Sequence, residues 1–241
     1  MTTYILVHGA WHNGQCWQRV TPLLETAGHR VLAPSLSGYG DKASLLAPDV
    51  GLDTHVADVT SLLRGEDLRD VVLVGHSYAG MVISSAAHQM PEHIRHLVYL
   101  DAMVPEHGES AVDVEPLTQQ LIDQAARDGH GWRIPPMQQN PYSLFGVTDP
   151  DDIEWLTSLL SDHPVRCLTQ PAQLDNLSVK AIPRTHIHCV GNQPPGIVRR
   201  PVPTPQPGDA PAYVRELTTG HDCMITMPKE LSALLLECSR H

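Results

Sequence analysis

The 241-residue sequence has no Cys-x-x-Cys pair, no apolar stretch long enough to span a bilayer, no internal repeat and no excess of positive charge. Each absence narrows what the chain can be. The five cysteines (Cys16, Cys167, Cys189, Cys223 and Cys238) are odd in number and scattered, so no disulfide framework is implied and a reducing compartment suits them. Without a long apolar run, no transmembrane helix is expected. A net charge of -11 repels phosphate backbones and anionic membranes, which argues against nucleic acid and lipid surfaces as partners and for a small uncharged ligand. Met1 to Val7 run straight into an apolar strand without the basic start and cleavage site of a secretory signal, and a cytoplasmic location is expected. What is present is a globular composition, 41% hydrophobic and 18% charged, in a chain sized for one large domain or one domain carrying an inserted lid.

Short runs rich in Val, Ile and Leu alternate with segments of helical period, the pattern of a mostly parallel sheet covered by helices on both faces. Tyr4–Val7, Arg30–Ala33, Val71–Val74 and Leu97–Leu100 are the first four expected strands. Between them, Trp17 to Ala27 reads as a helix ending at Gly28, and Val56 to Leu63 as a helix capped by Asp53. From about Pro105 to Ile182 the strand signal disappears, leaving helical stretches at Val114 to Ala126 and Asp151 to Leu160. Thr185–Val190 and Ala212–Leu217 resume the sheet on either side of a Pro-rich loop, Gln193 to Pro211. Pro228 opens a last helix. The expected organisation is therefore a core of residues 1–104 and 183–241 with a helical lid, 105–182, inserted in it.

The segment Gly75-His76-Ser77-Tyr78-Ala79-Gly80, a G-x-S-x-G pattern with Ala79 in the second glycine's place and Gly80 one position later, lies directly between a buried strand and a helical run of small residues. Such a bend holds a serine hydroxyl out at the carboxyl edge of a sheet, and its flanking glycines let helix and strand approach. A serine is a weak nucleophile until a base takes its proton. Of the 15 histidines, His221 is favoured, because Thr218-Thr219-Gly220-His221-Asp222 lies between the last strand and the last helix, where α/β-hydrolases present their base. An oxyanion hole needs two backbone N–H groups: Tyr78, which follows the nucleophile, and Ala10, in the loop His8-Gly9-Ala10-Trp11 after the first strand. His8 and His12 read as loop histidines that hold their neighbours by hydrogen bonds.

The stretches His8 to Trp17, Gly75 to Gly80 and Gly220 to Asp222 resemble the α/β-hydrolase branch that holds plant methyl-salicylate and methyl-jasmonate esterases, hydroxynitrile lyases and pyrethroid-hydrolase-like bacterial esterases. The resemblance covers nearly the whole chain outside the lid and the Pro-rich loop. It implies the α/β-hydrolase fold, Ser77 as nucleophile, His221 as base and oxyanion donors at Ala10 and Tyr78, while leaving the substrate open. The plant enzymes usually carry the triad acid a few residues after the penultimate strand, where this chain reads Cys189-Val190-Gly191-Asn192-Gln193. No carboxylate stands there. Asp101, at the end of the strand after the nucleophile strand, is the expected acid; Asn192 and Asp222 are the alternatives.

Apolar lid residues over a catalytic serine would form the substrate pocket, and Trp11, Trp132, Phe145 and Trp155 are the candidate contacts. Arg133 reads as a surface residue, and Cys223 as a small buried apolar one. His186 and His188 share a strand face, but no third ligand stands at a characteristic spacing, so no metal is expected. No cofactor is required. Cyanohydrin cleavage is disfavoured because the lyases carry a Lys shortly after the base, where Asp222-Cys223-Met224 stand here. The expectation is a serine esterase acting on a small or medium, largely apolar ester, such as a methyl ester. Two other readings stay open: a biosynthetic enzyme doing decarboxylation, cyclisation or carbon–carbon cleavage on a polyketide-like molecule, and a non-catalytic ligand-binding protein of the same fold. The oligomeric state is open too.

Overall fold

A computed structural model describes residues 1–129, 131–140, 143–191 and 200–240. In chain order the core begins with β1 (Thr3–Val7), α1 (Thr21–Thr26), β2 (Arg30–Leu32), α2 (Leu52–Gly65), β3 (Val71–His76), α3 (Ala79–Gln89) and β4 (Ile94–Leu100). Between β4 and the next core strand lie α4 (Ala111–Val114), α5 (Leu117–Arg127), β5 (Arg133–Ile134), α6 (Pro150–Leu159), β6 (His163–Pro164) and α7 (Val165–Thr169). The core closes with β7 (Arg184–Cys189), β8 (Ala212–Leu217), α8 (Cys223–Thr226) and α9 (Pro228–Cys238). Among the described residues, no helix is long and apolar enough to cross a membrane.

Six strands form one sheet in the order β2-β1-β3-β4-β7-β8, and every neighbouring pair is parallel. Helices cover both faces, as a continuous apolar strand requires; β3 is buried along its whole length. The register pairs His76 with Leu100, Leu100 with Ile187 and Cys189 with Leu217, so the residues that follow these strands emerge side by side at one edge. Open α/β sheets generally bind their ligands outside that edge.

Gly75 allows β3 and α3 to meet, and Gly80 allows α3 to approach the segment after β4. A Cβ on Gly75 would lie 2.7 Å from the Ala79 carbonyl oxygen, and one on Gly80 only 1.9 Å from the Met103 carbonyl oxygen. The obstacle at Gly80 is main chain, which cannot swing aside. Gly80→Ala is expected to cost about 3 kcal/mol of stability, read as a lower urea midpoint at unchanged m-value.

Four local expectations need correction. The helix expected from Trp17 to Ala27 is split into a 3₁₀ turn, Gly14–Trp17, and α1, because Pro22 fits only a first turn. Asp53 does not cap α2: Gly51 does, with its N–H donating to Thr54 Oγ1 at 3.2 Å. The stretch from Val114 to Ala126 is broken at Pro116 into α4 and α5. Lastly, segment 105–182 is not free of strands, since β5 and β6 pair antiparallel over two residues each, too few for alternation to be visible. Among the described residues, this segment has no separate core. Ile134, Phe145, Leu156 and Leu168 belong to the same buried cluster as the sheet residues.

Candidate active site

Ser77 has φ +56°, the left-handed conformation that a sharp strand-to-helix bend imposes. Its N–H donates to Leu100 O at 3.1 Å, and its carbonyl accepts from Met103 N–H at 3.0 Å, so the bend is stitched to the segment after β4. Asp101 is left-handed as well, at φ +43°, and so is Trp11, at φ +65°. Three of the five non-glycine residues with positive φ among the described residues therefore sit at this edge of the sheet. Strain of this kind persists only where the surrounding structure holds it, and functional sites are where it gathers.

The Asp101 carboxylate reaches the segment between β8 and α8. His221 Nδ1–H donates to Asp101 Oδ2 at 2.7 Å, while Oδ1 accepts the Cys189 N–H at 3.1 Å. A carboxylate only accepts, so the proton of the neutral ring is fixed on Nδ1 and the lone pair on Nε2. Asp222, the alternative acid, turns the other way: its Oδ2 lies 2.9 Å from His12 Nε2. Asn192 lies outside the described residues.

Gly9 brings the loop after β1 against the bend, since a Cβ there would lie 2.9 Å from Ser77 Cβ and 3.2 Å from His76 O. Close approach is what this glycine supplies. Gly220 plays a matching part beside His221, where a Cβ would meet Gly146 Cα at 2.6 Å. Ala10, Tyr78, Ser77, Asp101 and His221 all line one cavity of about 540 Å³.

That cavity is walled by Val104, Val114, Leu121, Met137, Leu144 and Leu168, with Tyr99, His186 and His188 contributed by β4 and β7. Of the four candidate contacts, Trp11 lines it. The other three sit elsewhere. Phe145 packs behind the site, with its ring 4.8 Å from His12 and 6.3 Å from His221. Trp132 lies beneath the Arg133 guanidinium and Trp155 beneath that of Arg19. A large aromatic can satisfy itself against a cation as readily as against a ligand, and sequence does not say which. Arg133 pairs with Asp162 at 3.0 Å.

Arg200, Pro201, Val202 and Pro203 also line the cavity, although their Pro-rich segment reads only as a loop. Arg200 is clamped by both oxygens of Glu109, at 2.9 and 2.7 Å, and donates to Asp113 O at 2.7 Å. No local pattern announces that contact, because the partners are 91 residues apart.

His76, His221 and Asp222 bring potential ligand atoms within 4.8 Å of one another. Their atoms already serve a protein network: His76 Nε2–H donates to His221 O at 3.1 Å, His221 Nδ1 faces Asp101, and Asp222 Oδ2 faces His12. His76 Nε2 is therefore a donor, not a ligand. Burial holds the His76 ring neutral, with its pKa lowered to about 3.

The chain has relatives among known proteins and solved structures. A carbendazim hydrolyzing esterase from Nocardioides sp. (strain SG-4G) is 36% identical over 244 residues, covering 98% of this chain and 98% of that protein. Methylesterase 2 of Arabidopsis thaliana is 29% identical over 205 residues, 77% of this chain and 76% of its own. Among solved structures, an extracellular α/β-hydrolase from a Paenibacillus species superposes with a TM-score of 0.84 at 23% identity, covering 100% of both chains. A pyrethroid hydrolase structure gives a TM-score of 0.71 at 21% identity over 99% of this chain and 98% of the other. The pattern of the Alpha/beta hydrolase family matches residues 4–234, and the chain belongs to that family.

Proposed function

We propose that this carboxylic ester hydrolase works through an acyl-enzyme formed on Ser77, with His221 as general base, Asp101 as the acid that orients it, and the amides of Ala10 and Tyr78 as oxyanion donors. The observation that carries the reading is the 2.7 Å contact from His221 Nδ1 to Asp101 Oδ2 at the wall of a cavity that Ser77 shares. With Nδ1 protonated, Nε2 carries the lone pair that takes the Ser77 proton as the hydroxyl attacks the ester carbonyl. The resulting imidazolium is stabilised by Asp101, and the tetrahedral oxyanion by the two amides. His221 then returns the proton to the leaving alcohol. In the second half it activates a water, which attacks the acyl carbon and frees Ser77.

The substrate fitting this cavity is a small or medium, largely apolar ester, because aliphatic side chains from 105–182, Val114, Leu117, Leu121, Leu144 and Leu168, line one part of its wall. That segment serves as the lid. The named substrates and activities of the relatives, a carbendazim esterase and plant methylesterases, point to methyl esters as the first compounds to assay. We place the enzyme in the cytoplasm, on the ground that all five cysteines are free thiols and buried.

Intact mass spectrometry after treatment with a fluorophosphonate tests the nucleophile. One adduct is expected on the parent protein and none on Ser77→Ala, followed by turnover of methyl or aryl esters by the parent alone. An unlabelled parent protein would exclude the acyl-enzyme.

A further inference from the structure

The mechanism leaves two buried histidines of the loop after β1 without a task, and both grip the backbone around Ala10. A peptide unit is planar, so the group that holds its oxygen also aims its N–H. The Gly9–Ala10 peptide carries the Ala10 N–H, and its oxygen, Gly9 O, lies 2.9 Å from His8 Nδ1. His8 Nε2 accepts the Leu36 N–H at 3.0 Å, so the ring is neutral and donates from Nδ1. Burial keeps it so, with a pKa lowered to about 3.

The next peptide, Ala10–Trp11, is held through Ala10 O, which lies 2.8 Å from His12 Nδ1. A carbonyl only accepts; Nδ1 is therefore protonated. The other ring nitrogen, Nε2, faces Asp222 Oδ2 at 2.9 Å, in a contact 1% and 0% exposed. One more proton must lie in that contact. Burial raises the Asp222 carboxyl, but the charge of His12 and its hydrogen bond outweigh this and the net direction is down. With Asp222 ionised, that proton sits on Nε2, which donates to the carboxylate.

We infer that His8 and His12 are positioning residues that fix the two peptide planes flanking Ala10, and that Asp222 holds His12 doubly protonated, tying the oxyanion loop to the segment that carries His221. The inference rests on Ala10 being an oxyanion donor. Two further contacts make the tie rigid. Asp222 N–H donates to Phe145 O at 2.9 Å, and the Phe145 ring packs edge-on against His12 at 4.8 Å. An oxyanion donor stabilises charge only if its direction is set before the reaction begins.

Two measurements test this. In ¹⁵N-histidine-labelled parent protein at pH 7.5, His12 should show protons on both ring nitrogens and His8 a proton on Nδ1 alone. His12→Gln should lower kcat by about 10²-fold while KM stays within about threefold, since the loss falls on the transition state. The same variant should still take a fluorophosphonate on Ser77, more slowly than the parent. A neutral His12 ring in the parent spectrum, or a His12→Gln kcat within about threefold of the parent, overturns the inference. Should His12→Gln fail to fold, the parent spectrum decides alone. Loss of the Ser77 label in the parent would instead strike the acyl-enzyme reading, and the spectrum would still report on His12 and Asp222.

Discussion

Asp101→Asn is expected to lower kcat by about 10³- to 10⁴-fold, with KM and melting temperature close to the parent values. The reason lies in what an amide can accept. Asp101 presents one oxygen to the Cys189 N–H and the other to His221 Nδ1–H. An asparagine has a single acceptor oxygen, so one of those N–H groups must face an NH₂. If the NH₂ turns to His221, the ring keeps its lone pair on Nδ1 and carries its proton on Nε2, the wrong tautomer for a base. If it turns to Cys189, a buried N–H is left unpaired and the imidazolium still lacks its counter-charge. Both outcomes remove the acid's contribution. Steady-state ester hydrolysis together with a thermal melt checks this, and a variant that keeps more than about a tenth of the parent kcat would place the acid elsewhere.

Acid is expected to unfold the protein unusually early. His8, His55, His76, His163 and His186 are between 0% and 2% exposed. Burial lowers their pKa values, to about 3 for His8 and His76, about 4 for His55 and His186, and well below the usual range for His163. The sign follows from proton counts. Near pH 6.5 the unfolded chain begins to protonate these rings and the folded chain does not, so the unfolded state gains. The stability they confer is full above the unfolded value and is lost as pH falls from about 6.5 toward the folded values. Each such ring costs about 1.4 kcal/mol per pH unit across that window. Five together outweigh the roughly 5–15 kcal/mol of an ordinary domain within about two pH units. Differential scanning fluorimetry should give a melting temperature that is flat from about pH 7 to 8.5 and collapses between about pH 6 and 5. A melting temperature at pH 5 within a few degrees of that at pH 7.5 would contradict the argument.

The parallel sheet is legible because its first strands are short, nearly unbroken apolar runs between Gly- or polar-bounded helical segments, while β7 and β8 mix polar and apolar residues; β8 spans the very residues its pattern outlines. Errors gather where proline acts inside an apolar period, at Pro22 and Pro116, and where pairing is too brief to leave a pattern, at β5 and β6. The bend at Ser77 is readable for a different reason. The nucleophile-elbow pattern states a local steric requirement, met here by Gly75 and Gly80 within three residues of the serine.

Less of the cavity is legible. Trp132 and Trp155 have the composition of ligand contacts but lie against arginines, whereas Arg200 to Pro203, in a segment without helical or strand period, make part of the wall. The Trp155 and Arg200 contacts depend on which surfaces meet across 90 or more residues, which nothing within a short window records, and at Trp132 the neighbouring Arg133 already covers the ring.

By itself, then, the sequence determined the order of strands and helices, the bend that presents Ser77, and the chain position from which His221 arrives, because each is dictated by residues within a few positions of one another. Only the tertiary structure decided that Asp101 faces His221 while its neighbour Asp222 turns to His12. Two adjacent residues, His221 and Asp222, point to different partners, and that choice is made by strand register and by the packing of Phe145 and Gly146 against Gly220 to Asp222.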